Sequence, residues 1–254
     1  MSAERNVKSA GCDLAAAPEN PPTKFMVDGV ERSAITVIPD SYQPGEPLAL
    51  LFAFHGRTNS NQMVQGYYGI EKPAAGKAII VYPAGMPNAT GYSWSDSGDK
   101  AGELRDYEFF DVMLEEFSNS YCINEDEIFV IGHSLGAWFT NSLACARGDV
   151  IRAVATLGGS RSNSACTGPV AVMQWHNPND QQAPFSGAEM TRDFYLAQNQ
   201  CAGEKISVEP GWGNCVQYQG CQEGAPVIFC PHNKDLDWRG DYYPHNWPNG
   251  TGPE

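Results

Sequence analysis

The five residues Gly132-His133-Ser134-Leu135-Gly136 constrain the fold of this chain more than any other segment. They form a G-x-S-x-G pattern between a short apolar run at 128–131 and a helical pattern rich in small side chains at 135–146. So tight a strand-to-helix turn needs both glycines, because a side chain at either position would crowd it. The turn projects the Ser134 hydroxyl above the edge of a sheet and directs the Leu135 amide toward the same point.

Apolar runs and helical patterns alternate along most of the chain. Continuous apolar runs such as Leu48–Phe54 are typical of strands covered on both faces, and the apolar spacing at 107–120 predicts an amphipathic helix. The alternation predicts an α/β fold with a mostly parallel central sheet and helices on both faces. The other predicted elements are a hairpin at 25–38, strands at 78–83, 153–157, 170–175 and 227–229, and a helix at 188–198.

Length and local composition favour one folded unit. The chain has 254 residues, which suits one large α/β domain. Residues 1–24 are rich in Ala, Pro and Asn and lack periodicity, so they predict an extended N-terminal arm. Residues 25–254 contain no internal repeat and no linker rich in Gly and Ser, so they are interpreted as a single catalytic domain.

Charge and hydropathy narrow the possible partners. The net charge of −14 makes a basic face for phosphates improbable, so no nucleic-acid partner is expected. No apolar run approaches the ~20 residues that cross a bilayer, so no membrane association is expected. A monomer is the expected state.

Eight cysteines point to an oxidising compartment. Their even number and the absence of zinc-site spacings favour disulfides over metal binding. Cys215 and Cys221 are predicted to bridge and close a short loop. Glycosylation sequons begin at Asn88 and Asn249, and with the cysteines they predict a secreted, extracellular glycoprotein.

A serine nucleophile needs an acid and a base, which in this kind of site follow the serine along the chain. Asp180 comes soon after a predicted strand and is the preferred acid, whereas Glu189 and Asp193 fall within the next predicted helix. His232 and His245 both follow the last predicted strand, and both remain candidates for the base.

Phe54-His55-Gly56-Arg57-Thr58 ends another predicted strand and is the expected source of a second oxyanion donor. The amide of Arg57 or Thr58 is predicted to join that of Leu135 there. Chemistry of this kind requires no cofactor. No ligand spacing supports a metal site, so none is expected.

Segments spread from about Ser9 to Pro248 resemble the feruloyl and acetylxylan esterases of carbohydrate esterase family 1, and their poly(3-hydroxybutyrate) depolymerase-like relatives. The resemblance implies the α/β-hydrolase fold and a serine esterase. The segments that carry it are Ser9-Ala10-Gly11-Cys12, Phe54-His55-Gly56, Val81-Tyr82-Pro83-Ala84-Gly85, Phe109-Phe110-Asp111, Tyr121-Cys122-Ile123, residues 128–136, Ala144-Cys145-Ala146 and Val150-Ile151-Arg152-Ala153.

The same resemblance implies particular site residues. The family's acid lies in a His-x-x-x-Asp segment, which His176 to Asp180 matches. Its base commonly lies in Gly-His-x-Trp-Pro, which residues 244–248 match except that proline replaces glycine, so the resemblance favours His245 over His232. Residues 233–243 look like an insertion before the base. Such enzymes usually end in a helix beside the sheet, whereas nine residues follow His245 here, so we expect the C-terminal part to differ.

The activity implied by the resemblance is release of hydroxycinnamic acids from plant cell-wall polysaccharide such as xylan, or from small phenolic esters. The open alternatives are an acetylxylan esterase, a poly(3-hydroxybutyrate)-type polyester depolymerase, an acyltransferase and a non-catalytic carbohydrate-binding protein. Candidate substrate contacts are His55, His133, Trp238, Tyr242 and Trp247.

Overall fold

A central ten-stranded sheet dominates the computed structural model, which describes residues 7–95, 105–161, 166–208, 214–237 and 239–247. Two further strands, β5 and β6, pair only with each other as a hairpin. The strands are β1 (Lys24–Val27), β2 (Val30–Val37), β3 (Leu48–Phe54), β4 (Ala78–Pro83), β5 (Met86–Asn88), β6 (Gly91–Ser93), β7 (Ile123–His133), β8 (Ala153–Leu157), β9 (Ala171–His176), β10 (Lys205–Ser207), β11 (Val216–Tyr218) and β12 (Val227–Pro231).

The strand order is β1-β2-β4-β3-β7-β8-β9-β12-β11-β10. From β4 to β12 every neighbouring pair is parallel, whereas β1 and β2 at one edge, and β10 and β11 at the other, pair antiparallel. The central strands therefore end at the same edge of the sheet, where ligands bind in open α/β sheets.

Helices cover both faces of the sheet. Helices α3, α4 and α5 pack on one face and share its large apolar core, whereas α1 packs against β2, β3 and β4 on the other. This arrangement confirms the predicted α/β fold with a mostly parallel sheet. The helices are α1 (Asn61–Tyr68), α2 (Glu71–Ala74), α3 (Arg105–Ser120), α4 (Leu135–Ala146) and α5 (Phe185–Gln198). Among the described residues no helix is long and apolar enough to cross a membrane.

An open apolar groove of about 260 Å³ runs over the central strands on the face that carries α1. Parallel strands are normally covered on both faces. Here α1 covers β2, β3 and β4, and the groove continues beyond it over β7, β8, β9 and β12. The residues that line it include Leu51, Phe129, Ile131, Ala155, Met173 and Ile228.

The N-terminal arm is anchored to the start of β7. Its Ser9 amide donates to the Ile123 carbonyl at 3.0 Å, and Cys12 forms a disulfide with Cys122. A short 3₁₀ helix, Ala10–Asp13, interrupts the stretch that was expected to be extended.

Four disulfides join all eight cysteines, and the predicted Cys215–Cys221 pair is wrong. Strand register is the reason. Val216 in β11 lies opposite Phe229 in β12, so Cys215 and Cys230 face each other across the same antiparallel pair. Cys221 lies beyond the end of β11, where it meets a different partner. The observed pairs are Cys12–Cys122, Cys145–Cys166, Cys201–Cys221 and Cys215–Cys230.

Candidate active site

The candidate site lies at the edge where the parallel strands end. Ser134 directly follows β7, and Asp180 lies four residues after β9. His245 lies in the long segment after β12, and Gly56 lies two residues after β3. Strand direction therefore brings together residues that are far apart in the sequence.

The turn at Ser134 is as tight as the sequence predicts, and its backbone is strained. Ser134 has φ 55° and ψ −127°, outside the conformations that residues with a side chain normally adopt. A Cβ on Gly132 would collide with the Gly136 carbonyl, and one on Gly136 with the Phe54 carbonyl. The Ser134 amide donates to the Leu157 carbonyl at 2.9 Å, which fixes the turn to β8.

Ser134, His245 and Asp180 form a continuous hydrogen-bonded chain. His245 Nε2 lies 2.8 Å from Ser134 Oγ, and its Nδ1 lies 2.6 Å from Asp180 Oδ2. An ionised carboxylate can only accept, so the neutral imidazole carries its proton on Nδ1 and offers Nε2 to the serine hydroxyl. The arrangement can thus accept the serine proton while the carboxylate compensates the charge that forms on the ring.

Asp180 is held as a carboxylate by donors on both of its oxygens. Its Oδ1 accepts from the backbone amides of Gln182 and Ala183 at 2.8 and 2.9 Å, and its Oδ2 accepts from His245. Burial acts to raise the pKa of Asp180, but these hydrogen bonds outweigh it and hold the pKa below its ordinary value. The charge that faces His245 therefore persists at neutral pH.

His232, the other predicted candidate for the base, bonds elsewhere. Its backbone amide donates to the His176 carbonyl at 3.1 Å, and its ring Nδ1 accepts from the Lys234 amide at 3.4 Å. Its Nε2 is buried without a hydrogen-bond partner among the described residues. Burial, with the His176 ring nearby, lowers the pKa of His232 to about 4. The structure thus brings His245, and not His232, to Ser134.

The loop after β3 lies directly against the nucleophile. A Cβ on Gly56 would come within 3.2 Å of the Ser134 Cβ, so only glycine allows this approach without displacement. The His55 ring holds the loop through both nitrogens: Nδ1 donates to the Gly56 carbonyl at 2.8 Å, and Nε2 accepts from the Gly85 amide at 2.9 Å. Because a trans peptide is planar, the Arg57 N–H points away from the carbonyl that His55 holds.

The rings of His55 and His133, which the sequence analysis offered as substrate contacts, bond within the protein. Both side chains are buried, and each uses both ring nitrogens within the protein. Burial lowers the pKa of His55 to about 4 and that of His133 to about 3. Both therefore stay neutral at physiological pH and act within the framework of the site.

The predicted aromatic contacts differ in their exposure. Tyr242 is 61% exposed on the loop before His245, whereas Trp247 is half-buried and stacks on Tyr68 with ring centroids 3.9 Å apart. Trp238 lies outside the described residues. Tyr243, which the sequence reasoning missed, is 40% exposed and meets the His245 ring edge-on at 6.1 Å.

Gly158 is a second residue that sequence reasoning missed. It directly follows β8 with φ +63°, and a Cβ there would lie 3.0 Å from His245 Cε1 and 3.5 Å from Asp180 Oδ2. The adjacent Gly158-Gly159 pair at the end of a buried strand was the available signal. Its importance depends on the approach of His245, which no local pattern reveals.

Comparison with known proteins identifies several similar sequences, although no family model matches this chain. Feruloyl esterase D of Neurospora crassa is 32% identical over 246 residues, which cover 89% of this chain and 81% of that protein. Feruloyl esterase C of Emericella nidulans is 30% identical and covers 77% of this chain and 78% of that protein. A probable feruloyl esterase C of Aspergillus niger is also 30% identical, and the match covers 93% of this chain and 86% of that protein.

Solved structures with the same fold include two esterases of fungal origin. An acetyl xylan esterase from Aspergillus awamori superposes with a TM-score of 0.63 at 13% identity, covering 79% of this chain and 87% of that one. A ferulic acid esterase from Anaeromyces mucronatus superposes with a TM-score of 0.52 at 15% identity, covering 75% of this chain and 84% of that one. At these identities the two structures establish the fold, which is that of the α/β-hydrolases.

Replacing Gly158 by alanine should lower kcat by at least about tenfold, because the new methyl group displaces the His245 ring by a few tenths of an ångström or more. The matched control is Gly203→Ala, since Gly203 also has positive φ (+87°) but nothing lies within 4 Å of the added Cβ. Steady-state hydrolysis of an activated ester measures both variants. Equal activity losses would show that backbone strain alone is responsible.

Acid should destabilise the fold well before carboxylates titrate. His55, His133 and His232 have folded pKa values below the ordinary 6.5, so below that pH only the unfolded chain takes up their protons. Each then lowers the free energy of unfolding by about 1.4 kcal/mol per pH unit until its folded pKa is reached. Urea midpoints at pH 7 and pH 5 measure the loss, which His232→Gln should reduce. A midpoint that stays constant over this range contradicts the argument.

Proposed function

The chain belongs to the feruloyl esterases, and from this premise we propose that it is a secreted serine esterase that releases hydroxycinnamic acids from plant cell-wall polysaccharide. The observation that carries the proposal is the hydrogen-bonded chain from Asp180 through His245 to Ser134. Such a chain supplies an activated nucleophile for acyl transfer and needs no cofactor.

In the first half-reaction Ser134 Oγ attacks the ester carbonyl carbon while His245 Nε2 takes the hydroxyl proton. Negative charge then develops on the carbonyl oxygen, and we assign the amides of Leu135 and Arg57 as its donors. The intermediate collapses when His245 gives its proton to the departing sugar oxygen, which leaves the feruloyl group on Ser134. Asp180 keeps the proton on Nδ1 and stabilises the imidazolium throughout.

In the second half-reaction water replaces the sugar. His245 takes a proton from the water as its oxygen attacks the acyl-enzyme carbonyl, and the same two amides donate hydrogen bonds to the oxyanion that forms. Collapse returns the proton to Ser134 Oγ and releases ferulate. Each removed oxyanion donor typically costs 10²–10³ in turnover.

The exposed aromatic side chains beside the base support a substrate with flat rings. Tyr242 and Tyr243 are 61% and 40% exposed next to His245, on a loop where large apolar groups remain open to solvent. Exposed tyrosine rings of this kind pack against aromatic or sugar faces and can also hydrogen bond. We assign Tyr242 and Tyr243 as contacts for the feruloyl ring or the adjoining sugar.

Secretion is part of the proposal and is supported by the disulfides. All eight cysteines are paired, a condition that reducing compartments do not maintain. The Asn88 sequon lies at an exposed position at the end of β5, where a glycan can be accommodated. The Asn249 sequon lies outside the described residues.

Product analysis with methyl ferulate, acetylated xylan and hydroxybutyrate oligomers tests the substrate class. The proposal expects ferulate release from methyl ferulate, with at least tenfold lower kcat/KM on the other two, and no turnover by Ser134→Ala. Turnover confined to acetylated xylan or to the oligomers overturns the substrate assignment. Undiminished turnover by Ser134→Ala overturns the serine mechanism.

Glutamine variants of the two histidines test the choice of base. His245→Gln should lower kcat by about 10⁴-fold or more, because it removes the imidazole that lies 2.8 Å from Ser134 Oγ and accepts its proton. His232→Gln, whose ring bonds only a backbone amide in the described residues, should stay within about threefold of the parent. Comparable losses in both variants, measured on methyl ferulate, contradict this assignment.

A further inference from the structure

His133 joins the strand of the nucleophile to the segment that carries the base. It is the last residue of β7 and directly precedes Ser134. Its ring Nε2 lies 3.0 Å from the backbone carbonyl of His245, 112 residues away in the sequence. The side chain is almost fully buried, so solvent does not compete for this contact.

The partners of the ring define its tautomer. A carbonyl oxygen only accepts, so Nε2 must carry the proton that bonds to His245. The other nitrogen, Nδ1, is then an acceptor, and the hydroxyl of Tyr67 lies 3.3 Å from it. Burial, reinforced by the nearby His245 ring, lowers the pKa of His133 to about 3, so this neutral form persists across the working pH range.

Helix α1 makes a second contact with the segment that carries the base. Trp247, two residues after the base, stacks on Tyr68 with the ring planes inclined by 15°. The Tyr68 hydroxyl donates to the Phe54 carbonyl at 2.7 Å, at the end of the strand that leads to the oxyanion loop. The segment that carries the base is thereby tied to β7, which bears the nucleophile, and to β3, which leads to the oxyanion loop.

We propose that His133 is a positioning residue that sets the distance between His245 and Ser134 through its Nε2–H bond to the His245 carbonyl, with the Tyr67 hydroxyl contacting its other ring nitrogen. The inference rests on the proposed function, in which His245 is the base. His245 needs this positioning contact because it lies 14 residues after the end of β12, in irregular structure and not in a helix or strand.

This role differs from packing because it depends on one N–H group. His133→Leu replaces the imidazole by an apolar side chain of similar bulk and so removes the Nε2–H donor. His133→Gln restores an N–H group at about the reach of Nε2. Tyr67→Phe leaves the aromatic ring in place but removes the hydroxyl that contacts His133 Nδ1.

The test measures kcat and KM of these variants on methyl ferulate and on p-nitrophenyl acetate, with thermal unfolding as a check on folding. We expect His133→Leu to lower kcat by 10- to 100-fold on both esters with KM changed less than threefold. His133→Gln should recover kcat to within about fivefold of the parent, and Tyr67→Phe should lower it three- to tenfold. The low-field NMR signal of the proton between His245 and Asp180 should weaken in His133→Leu and return in His133→Gln.

Equal kcat in His133→Leu and the parent, or equal losses in His133→Leu and His133→Gln, overturns the proposal. Should His133→Leu fail to fold, His133→Gln and Tyr67→Phe decide it, and the proposal falls if Tyr67→Phe matches the parent or if His133→Gln loses more than about tenfold. Hydrolysis of p-nitrophenyl acetate distinguishes failure of the feruloyl assignment from failure of the His133 proposal. A parent enzyme that hydrolyses only this ester refutes the feruloyl assignment and leaves the His133 comparison intact, whereas an active Ser134→Ala variant refutes the mechanism itself.

Discussion

Parallel hydrogen bonding between the central strands is the constraint on which the rest of the molecule depends. It directs the ends of β3, β7, β8, β9 and β12 to one edge, so that five separate loops meet there. Each loop then positions its own functional group through local geometry. Examples are the strained turn at Ser134 and the glycine at position 56, which lets the backbone lie close to the nucleophile. Strand pairing thus brings Gly56 and the segment that carries His245, about 190 residues apart in the sequence, to the same edge of the sheet.

The site combines one buried carboxylate with neutral imidazoles. Asp180 keeps its charge because His245 and two backbone amides bond to it, whereas His55 and His133 are buried with lowered pKa values and bond to backbone groups. Burying a charge without a partner is costly, so the low dielectric surroundings keep these two rings neutral. As a result they behave as fixed donors and acceptors, and His245 is the imidazole placed to exchange a proton with Ser134.

Sequence reasoning succeeded where a local pattern determines the structure and failed where tertiary contacts do. The bounds of β3, β8 and α4 match their apolar patterns, because those elements are buried nearly throughout. Helix α1 was missed because Asn61–Tyr68 is short, mixes polar and apolar side chains and contains a glycine. The Cys215 partner and the need for Gly158 could not be predicted, since the first depends on the register of β11 on β12 and the second on where the His245 ring lies.

The proposed base and the proposed substrate contacts lie in the same segment after β12, but different contacts hold them in place. On the sheet side His245 is hydrogen bonded to Asp180 and His133, and its ring packs against Gly158, where a side chain would not fit. The preceding loop is organised separately: Asn177 donates to the Lys234 carbonyl and the Asp235 carboxylate at 2.9 Å, and Asn246 donates to the Tyr243 carbonyl at 2.5 Å. Because the exposed ring of Tyr242 belongs to this outer loop, its substitution can alter the proposed substrate contact while the bonds that align His245 with Ser134 remain in place.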